Sequence, residues 1–351
     1  MQNLNNFLLI SNSLVPEKAL FAVDDELVAN YMPVYYKEHF CFYHGTFHNS
    51  VELTRLYGLG PESFEAVLID LYLKDPEKFP SLLCGNFSLI IGNREQLYLL
   101  RDGNGYENLY FSEKFPDTGG IVISNSIKEI GKYCKLEVNR EILPGYFLKT
   151  DVNSGAAFFK DIKTLAFFEF GEINRRTLFV EKGCFDRFFK ETEPVCADDI
   201  KQVIDEFDNI FGEIIDEKSR QLNPDFKIIN ALSGGTDSSF IQYYLKKNNS
   251  DIAYTANFTN SGMDHAYASD VSRLMNLKQK TIHSNTGDLI NSMPDGIFLS
   301  EKPFLFAGES LLLKMYREIG SDFSVPVACF DGTGAEGILG ASKILYELRI
   351  I

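Results

Sequence analysis

From Pro224 onward the chain alternates short apolar runs with amphipathic ones, and this constrains the possible folds more than any other feature. "FKIINAL" reads as a strand and "SSFIQYYLKKNN" as a helix; "DIAYTANF" follows as a strand, "MDHAYASDVSRLMNL" as a helix, "QKTIHS" as a short strand, "GESLLLKMYREIG" as a helix and "VPVACF" as a strand. Such alternation predicts a parallel sheet with helices on both faces. Just before it, Val203, Phe207, Ile210, Phe211, Ile214 and Ile215 recur at three- and four-residue steps, an amphipathic helix with Asp198 or Asp199 placed to cap it.

The first half reads differently. "NFLLIS", "HFCFYHGTF", "GGIVISNS" and "GAAFFKDIKTLAFFEFGEI" are strand-forming runs broken by turn residues, and in "FSLIIGNREQLYLLRD" two apolar runs flank Gly92–Glu95 as a β-hairpin. "PESFEAVLIDLYLKDPEKF" is the exception, a helix opening at Pro61. The reading is an α+β, sandwich-like domain of antiparallel sheets over residues 1–190 and an α/β parallel-sheet domain over 191–351, divided between Gly183 and Ala197. With 351 residues, two domains of ordinary size are expected.

The net charge of -15 argues against nucleic acid or anionic membrane as a partner, because either would meet a repelling surface. An anionic ligand must then be held locally, by backbone amides, a metal or a few basic groups. Six dispersed cysteines form no CxxC pair, so neither a zinc site nor a disulfide framework is suggested. Without a basic leader or a long apolar run, the cytoplasm is the expected location.

Between the first predicted strand and helix of the second half stands Ser233-Gly234-Gly235-Thr236-Asp237-Ser238-Ser239. In an open parallel sheet this is where ligands bind, beyond the carboxyl ends of the strands. Two glycines let backbone amides approach an anion, the next helix adds its N-terminal amides, and Ser233, Ser238 and Ser239 add hydroxyls. Asp237 repels a bare phosphate, and Mg²⁺ bridging carboxylate and phosphate resolves that conflict. Composition and spacing alone fit a second account equally well: a tight turn with Asp237 or Ser238 capping the helix. No Walker-type lysine follows, and the Rossmann glycine pattern is absent.

The wording of the loop is more specific than its composition. "SGGTDSS" resembles the PP-loop motif SGGxDSS of ATP pyrophosphatases, and "FDGTGAEGILGAS" resembles the SGEGADELFGGY segment of asparagine synthetases, with Gly332, Gly334, Ala335 and Gly340 in matching positions. "MDHAYASDVSRLMNLKQKTIH" is similar to that family's helix with buried alanines leading into a short strand. In the first half, "LLCGNFSLIIGNREQLYLLRDGNGYENLYF" resembles the family's LxGxFxFxIxD and LxLxRDxxGxxPLYY stretch, and "SNSIKEI" its SExKAL. On these motifs the chain is identified as a member of the asparagine synthetase superfamily, with relatives among β-lactam synthetases and lasso-peptide cyclases. The resemblance implies an Ntn-hydrolase-like, glutaminase-type first domain and a PP-loop synthetase domain. It implies ATP-dependent chemistry, in which a carboxylate becomes an acyl-adenylate, pyrophosphate leaves, and an amine displaces AMP. By position, Ser233, Gly234, Gly235, Asp237 and Ser238 hold pyrophosphate with Gly332 and Gly334 facing them, the Leu232 backbone touches adenine, and Asp237 and Glu336 bind Mg²⁺.

The chain also departs from the family. Gln2 stands where the glutaminase has its N-terminal Cys nucleophile, "HGTFHN" (His44–Asn49) replaces the glutamine-binding NGEIYN, and Ser63 replaces the acidic residue of DTE. Glutamine hydrolysis is therefore expected to be lost. His44 and His48 share a strand face but lack a third ligand, which favours a surface pair over a metal site. In the second motif Thr333 replaces an acidic residue and cannot serve as a general base, Glu336 replaces the metal-binding Asp, and Gly337 replaces a Glu. Lys343 lies too early to match the family's catalytic lysine, which a longer helical segment carries. The expectations are an ATP-dependent amide-forming ligase acting on a small-molecule or peptide carboxylate, a peptide or small-molecule cyclase, or a non-catalytic nucleotide- or partner-binding relative; a second polypeptide supplying the missing segment is a further possibility.

Overall fold

The computed structural model describes residues 8–11, 21–24, 27–29, 32–57, 63–112, 120–148, 157–178, 180–185, 200–222, 224–248, 250–258, 263–302 and 308–333. The chain divides into two compact units, Met1–Thr192 and Glu193–Ile351.

Unit 1 opens with strands β1 (Leu8–Ser11), β2 (Phe21–Asp24), β3 (Leu27–Ala29), β4 (Val34–Tyr36) and β5 (His39–Phe47), followed by helices α1 (Ser50–Tyr57), α2 (Phe64–Lys74) and α3 (Phe79–Leu82). It continues with β6 (Gly85–Gly92), β7 (Gln96–Arg101), β8 (Tyr110–Ser112), β9 (Val122–Ser124), α4 (Ile127–Ile130), α5 (Leu143–Leu148), β10 (Lys163–Thr164), β11 (Glu169–Asn174) and β12 (Val180–Cys184). These strands form two six-stranded sheets, ordered β10-β8-β9-β1-β3-β2 and β12-β11-β7-β6-β5-β4, with antiparallel neighbours throughout.

Alternating side chains decide the layers. Phe40, Phe42, Ile90, Leu97 and Leu99 of one sheet meet Phe111 and Ile123 of the other in one buried cluster, so the sheets face each other. The opposite face of the β5–β6–β7 sheet, through Cys41, Leu89, Ile91, Tyr98 and Leu100, packs on Val67, Leu68 and Leu71 of α2 and Phe79 of α3. Ile127 and Ile130 of α4 cover Val122 on the outside of the other sheet. Helices, sheet, sheet and helix are the layers, which meets the α+β expectation. The β6–β7 hairpin forms at the expected turn. The run expected as strand at "GAAFFKDIKTLAFFEFGEI" is broken instead: Phe159 makes an isolated bridge to Val138, and only β10 and β11 are regular strands. Pro61 lies outside the described residues; α2 starts at Phe64, where the Ser63 hydroxyl accepts from Ala66 N–H at 3.2 Å.

Unit 2 comprises α6 (Ile200–Gln221), β13 (Lys227–Ala231), α7 (Thr236–Lys247), β14 (Ile252–Phe258), α8 (Met263–Leu274), β15 (Lys278–Ser284), α9 (Thr286–Ser300), α10 (Gly308–Asp322) and β16 (Val327–Phe330). The sheet is parallel, ordered β15-β14-β13-β16. Met315 and Ile319 of α10 pack on Ile229, Tyr254 and Ile282 on one face, while α7 and α8 cover the other through Ile241, Leu245 and Ala268. Helices on both faces were expected; α9 was not. It has an Asn285–Asp288 capping box and carries Pro294 inside, a residue that disguises a helix in sequence. Asp198 and Asp199 lie outside the described residues. No described helix is long and apolar enough to cross a membrane.

Strand order decides where a ligand can sit. The chain runs outward from β13 to β14 and β15, then returns to place β16 on the other side of β13. The reversal falls between β13 and β16, and the crevice beyond their carboxyl ends is the preferred binding position of such sheets.

Candidate functional site

Two loops border that crevice: residues 232–235, which leave β13, and Asp331-Gly332-Thr333, which leave β16. They meet at Gly332, where an added Cβ lies 3.0 Å from Asp237 Cβ and 3.1 Å from Ser238 N. Gly332 thus backs directly onto the first turn of α7, and any side chain there pushes against it. On the other side, Gly234 has φ +82, and a Cβ at that position lies 2.2 Å from Ala268 N and 2.5 Å from Tyr267 C. Only glycine combines that dihedral with such close approach to α8. Ala268 is fully buried at the contact, whereas Ala266 is exposed, so the expected buried-alanine face reduces to one alanine.

The capped-turn account fails on geometry. The cap of α7 is Gly235, no side chain caps the helix, and Asp237 and Ser238 lie inside its first turn. The first-turn amides therefore keep their N–H groups and positive dipole end directed at the crevice.

The serines hold the loop together. Ser238 Oγ accepts from Ser233 N–H at 3.2 Å, pairs with Ser233 Oγ at 3.0 Å and lies 3.3 Å from the Gly235 carbonyl as donor. Ser233 Oγ accepts from Gly235 N–H at 3.2 Å. Ser238 is 4 % exposed, so its hydroxyl braces the loop from within. Leu232 is committed to β14: its N–H donates to the Tyr254 carbonyl and its carbonyl accepts from Thr255 Oγ, both at 2.8 Å. Among the described residues no donor or cation contacts the half-buried Asp237 carboxylate, which leaves its oxygens available to a hard cation. Asp237 is a single carboxylate that could contribute one ligand to a cation shared with phosphate oxygens, and the uncapped amides can face only the anion; among the described residues no group of three or more His, Cys, Asp or Glu side chains could hold a metal. Gly334 and Glu336 lie outside the described residues.

Three supporting residues went unread in the sequence. Asn230, fully buried in β13, donates from Nδ2 to the Ser238 carbonyl at 2.9 Å and so ties the helix start to the strand. Gln279 Nε2 donates to Thr255 Oγ at 2.8 Å, extending the support behind Leu232 into β15. The available signal was a polar residue inside an apolar parallel strand, where burial on both faces disfavours it. Beside Gly332, Asp331 Oδ1 accepts from Thr333 N–H at 2.8 Å and Oδ2 from Tyr316 OH at 3.4 Å. Burial, with Asp331 adding to it, pushes the Tyr316 phenol up to about 12.

The substituted positions of unit 1 have other partners. His44 Nδ1 pairs with Glu107 Oε2 at 2.8 Å, while His48 lies in the turn after β5 with Nδ1 4.0 Å from Cys84 Sγ. The shared face expected of these two histidines is therefore not the structural relation they have. Ser63 caps α2, and Asn49, which the segment shares with the motif, braces the chain at Leu82 and Cys84.

Unit 2 is thus an α/β domain with a glycine-walled, uncapped helix start at its strand-order reversal. A family model described as asparagine synthase matches residues 215–350, a span that contains both loops, so this part of unit 2 is similar to asparagine synthase. A comparison with curated proteins finds no match. Among solved structures, the allosteric regulatory enzyme of purine biosynthesis is similar at 9% identity and a TM-score of 0.35, covering 80% of this chain and 74% of that one. Glutamine phosphoribosylpyrophosphate amidotransferase from B. subtilis, complexed with ADP and GMP, matches at 10% identity and 0.33, with 79% and 59% covered. A glutamine aminotransferase class-II domain protein from Silicibacter pomeroyi matches at 10% identity and 0.31, with 52% and 98% covered. The likeness to asparagine synthase rests on the match over residues 215–350 and the two loops within it.

Proposed function

We propose that the protein is an ATP-dependent amide-bond-forming ligase that activates a carboxylate as an acyl-adenylate, releases pyrophosphate and does not hydrolyse glutamine. The observation that carries this is the uncapped first turn of α7, walled by Gly332 and Gly234 at the reversal of strand order. In this reading the first-turn amides and the Gly234 N–H receive the pyrophosphate oxygens, with Ser233, Ser238 and the Gly235 N–H that donates to Ser233 Oγ holding the loop in shape. The departing pyrophosphate gathers negative charge, and preorganised amides stabilise that charge most in the transition state. Bound Mg²⁺ supplies further neutralisation, and Asp237 and Glu336 are the residues assigned to hold it. Leu232 orients the base, and Gly332 and Gly334 keep the facing wall low.

Unit 1 is read as an Ntn-hydrolase-like domain that has lost its glutaminase, because Gln2 stands at the nucleophile position and the substituted His44 and Ser63 have structural partners, Glu107 and the start of α2. Thr333 favours cyclisation of a peptide or small molecule as a second reading. Its N–H is bound by Asp331, and its hydroxyl cannot accept a proton near neutral pH, so an amine supplied within the substrate suits the site better than ammonia.

The test is ATP–pyrophosphate exchange with Mg²⁺ and a panel of small-molecule and peptide carboxylates, alongside calorimetry with ATP. Exchange that Asp237→Ala abolishes supports the ligase. Absence of exchange with every carboxylate, together with absence of ATP binding, overturns it; ATP binding without exchange points to a nucleotide-binding relative.

A further inference from the structure

Unit 1 contains a cavity of about 720 Å³ at the end of its β4–β5–β6–β7 strands away from His44. Small-molecule sites span about 300–1,000 Å³. Two hairpin turns border it, Lys37-Glu38 between β4 and β5 and Asn93-Arg94-Glu95 between β6 and β7, brought side by side because Phe40 pairs with Gly92. His39 joins the turns. Asn93 Oδ1 accepts from the N–H groups of Glu95 at 2.8 Å and Gln96 at 3.0 Å, which directs its amide N–H to His39 Nε2 at 3.0 Å. With Nε2 accepting, the ring hydrogen is on Nδ1, and it donates to the Lys37 carbonyl at 2.9 Å. Arg175 fastens the second turn, donating from its guanidinium to the Asn93 carbonyl at 2.7 Å and from its N–H to the Glu95 carbonyl at 2.9 Å. In the first turn Lys37 and Glu38 both have positive φ, 48 and 63, the backbone of a two-residue hairpin turn that usually takes Asn and Gly. Lys37 pairs with Asp70 of α2, so Glu38 is the turn residue that borders the cavity.

The border carries both signs of charge. The side chains of Glu38, Arg94 and Glu95 are exposed and make no hydrogen bond or ion pair among the described residues, although Arg94 shares the cavity with two carboxylates. Exposed charges alone are ordinary. Here they surround an aromatic wall: Tyr35, paired with Phe40 across β4 and β5, is 51% exposed, and the buried Phe40 ring holds it edge-on at 6.2 Å. We propose that this cavity binds a small zwitterion with an aromatic side chain, a free aromatic amino acid or a dipeptide that carries one. Arg94 receives the carboxylate, Glu38 and Glu95 receive the ammonium, and the ligand ring lies against Tyr35. His39 and Arg175 hold the two turns in place beforehand, so the ligand has little left to order on binding. No residue of unit 2 takes part, and the proposal is independent of the ligase reading.

Calorimetry on the full chain, without ATP, uses phenylalanine and glycyl-phenylalanine as probes, and the tighter of the two identifies the source. Phenylalaninamide lacks the carboxylate and N-acetylphenylalanine lacks the ammonium; each is expected to bind about tenfold more weakly than phenylalanine, the scale of one charged hydrogen bond lost. Arg94→Gln should weaken phenylalanine about tenfold and leave phenylalaninamide unchanged. Glu38→Gln combined with Glu95→Gln should weaken phenylalanine and leave N-acetylphenylalanine unchanged. These side chains are exposed, so the variants should keep the melting curve of the unmodified chain. Absence of binding by both zwitterions at millimolar concentration overturns the proposal. So does phenylalanine binding that both sets of variants retain, because the ligand then sits elsewhere. Phenylalaninamide binding as tightly as phenylalanine also overturns it, since the cavity then selects organic cations.

Discussion

The glycine loop after β13 and the segment from His44 to Asn49 after β5 occupy comparable places, each leaving a strand and each matching a family motif. They differ in what their polar atoms do. In the glycine loop the hydroxyls and Asn230 hold the backbone in shape, while the first-turn amides of α7 and the Asp237 carboxylate are left uncommitted. In the unit 1 segment the side chains are engaged by protein: the altered His44 by Glu107 and His48 by Cys84, and the retained Asn49 by two backbone groups. A segment poised for a ligand keeps donors aimed outward on a braced backbone. A segment proposed to have lost such a role spends them internally.

Glycine replacement should give the largest effect and tests the comparison directly. Gly234→Ala and Gly45→Ala each place a Cβ within about 2 Å of backbone at positive φ, and overpacking with dihedral strain costs about 2–4 kcal/mol in either case. Urea unfolding should show similar losses. Calorimetry on the folded fraction should separate them, with ATP binding lost in Gly234→Ala and kept in Gly45→Ala. Binding that survives in Gly234→Ala removes the loop from the proposed site.

Asn230→Ala comes next. It leaves the buried Ser238 carbonyl without its side-chain donor, and an unmet buried group of this kind costs about 1–3 kcal/mol. The expected readout is lower stability together with weaker ATP binding, because the helix start is no longer tied to β13. A smaller effect is expected for a matched pair, Thr255→Val behind Leu232 and Ser63→Ala at the start of α2, at about 1 kcal/mol each. Thr255→Val should also weaken ATP binding, and Ser63→Ala should leave it untouched. An equal effect of both on ATP affinity contradicts the division of labour between the units.

Much of this was legible because two periodicities are strong. The alternation of runs after Pro224 announces a parallel sheet with helices on both faces, and "SGGTDSS" marks the loop at its edge. Strand order was not legible, since no local pattern says that β16 returns to the far side of β13, yet that return is what sets Gly332 against Asp237. Helix α9 was hidden by Pro294 and by Gly287 and Gly296. Asn230, Thr255 and Gln279 looked like imperfections in strands. Their meaning is the hydrogen bond each makes across the sheet, and sequence spacing does not encode a partner on another strand.

The smallest expected effect is the pH dependence of a cluster on the α10 face of unit 2. Asp322 accepts from Lys280 Nζ at 2.6 Å and from Tyr254 OH at 2.7 Å, and these bonds, Lys280 first, hold its carboxyl below the ordinary range. Burial, reinforced by Asp322, pushes the Tyr254 phenol up, and the Lys280 ammonium is raised chiefly by its bond to Asp322. A depressed carboxyl contributes stability that is complete above its unfolded value of about 4 and is lost as pH falls through the lower folded value. Lys280 has the opposite sign, its contribution being complete below about 10 and lost as pH rises beyond. Thermal melts from pH 7 down to about 2 should therefore decline less steeply in Asp322→Asn than in the unmodified chain. The ion pair is exposed and screened, so the difference should shrink in added salt. In unit 1 the Asp70 carboxyl, lowered first by its bond to Lys37, should keep its own acid dependence in Asp322→Asn and serve as the reference. An unchanged acid slope in Asp322→Asn means that the cluster is not what links unit 2 to pH.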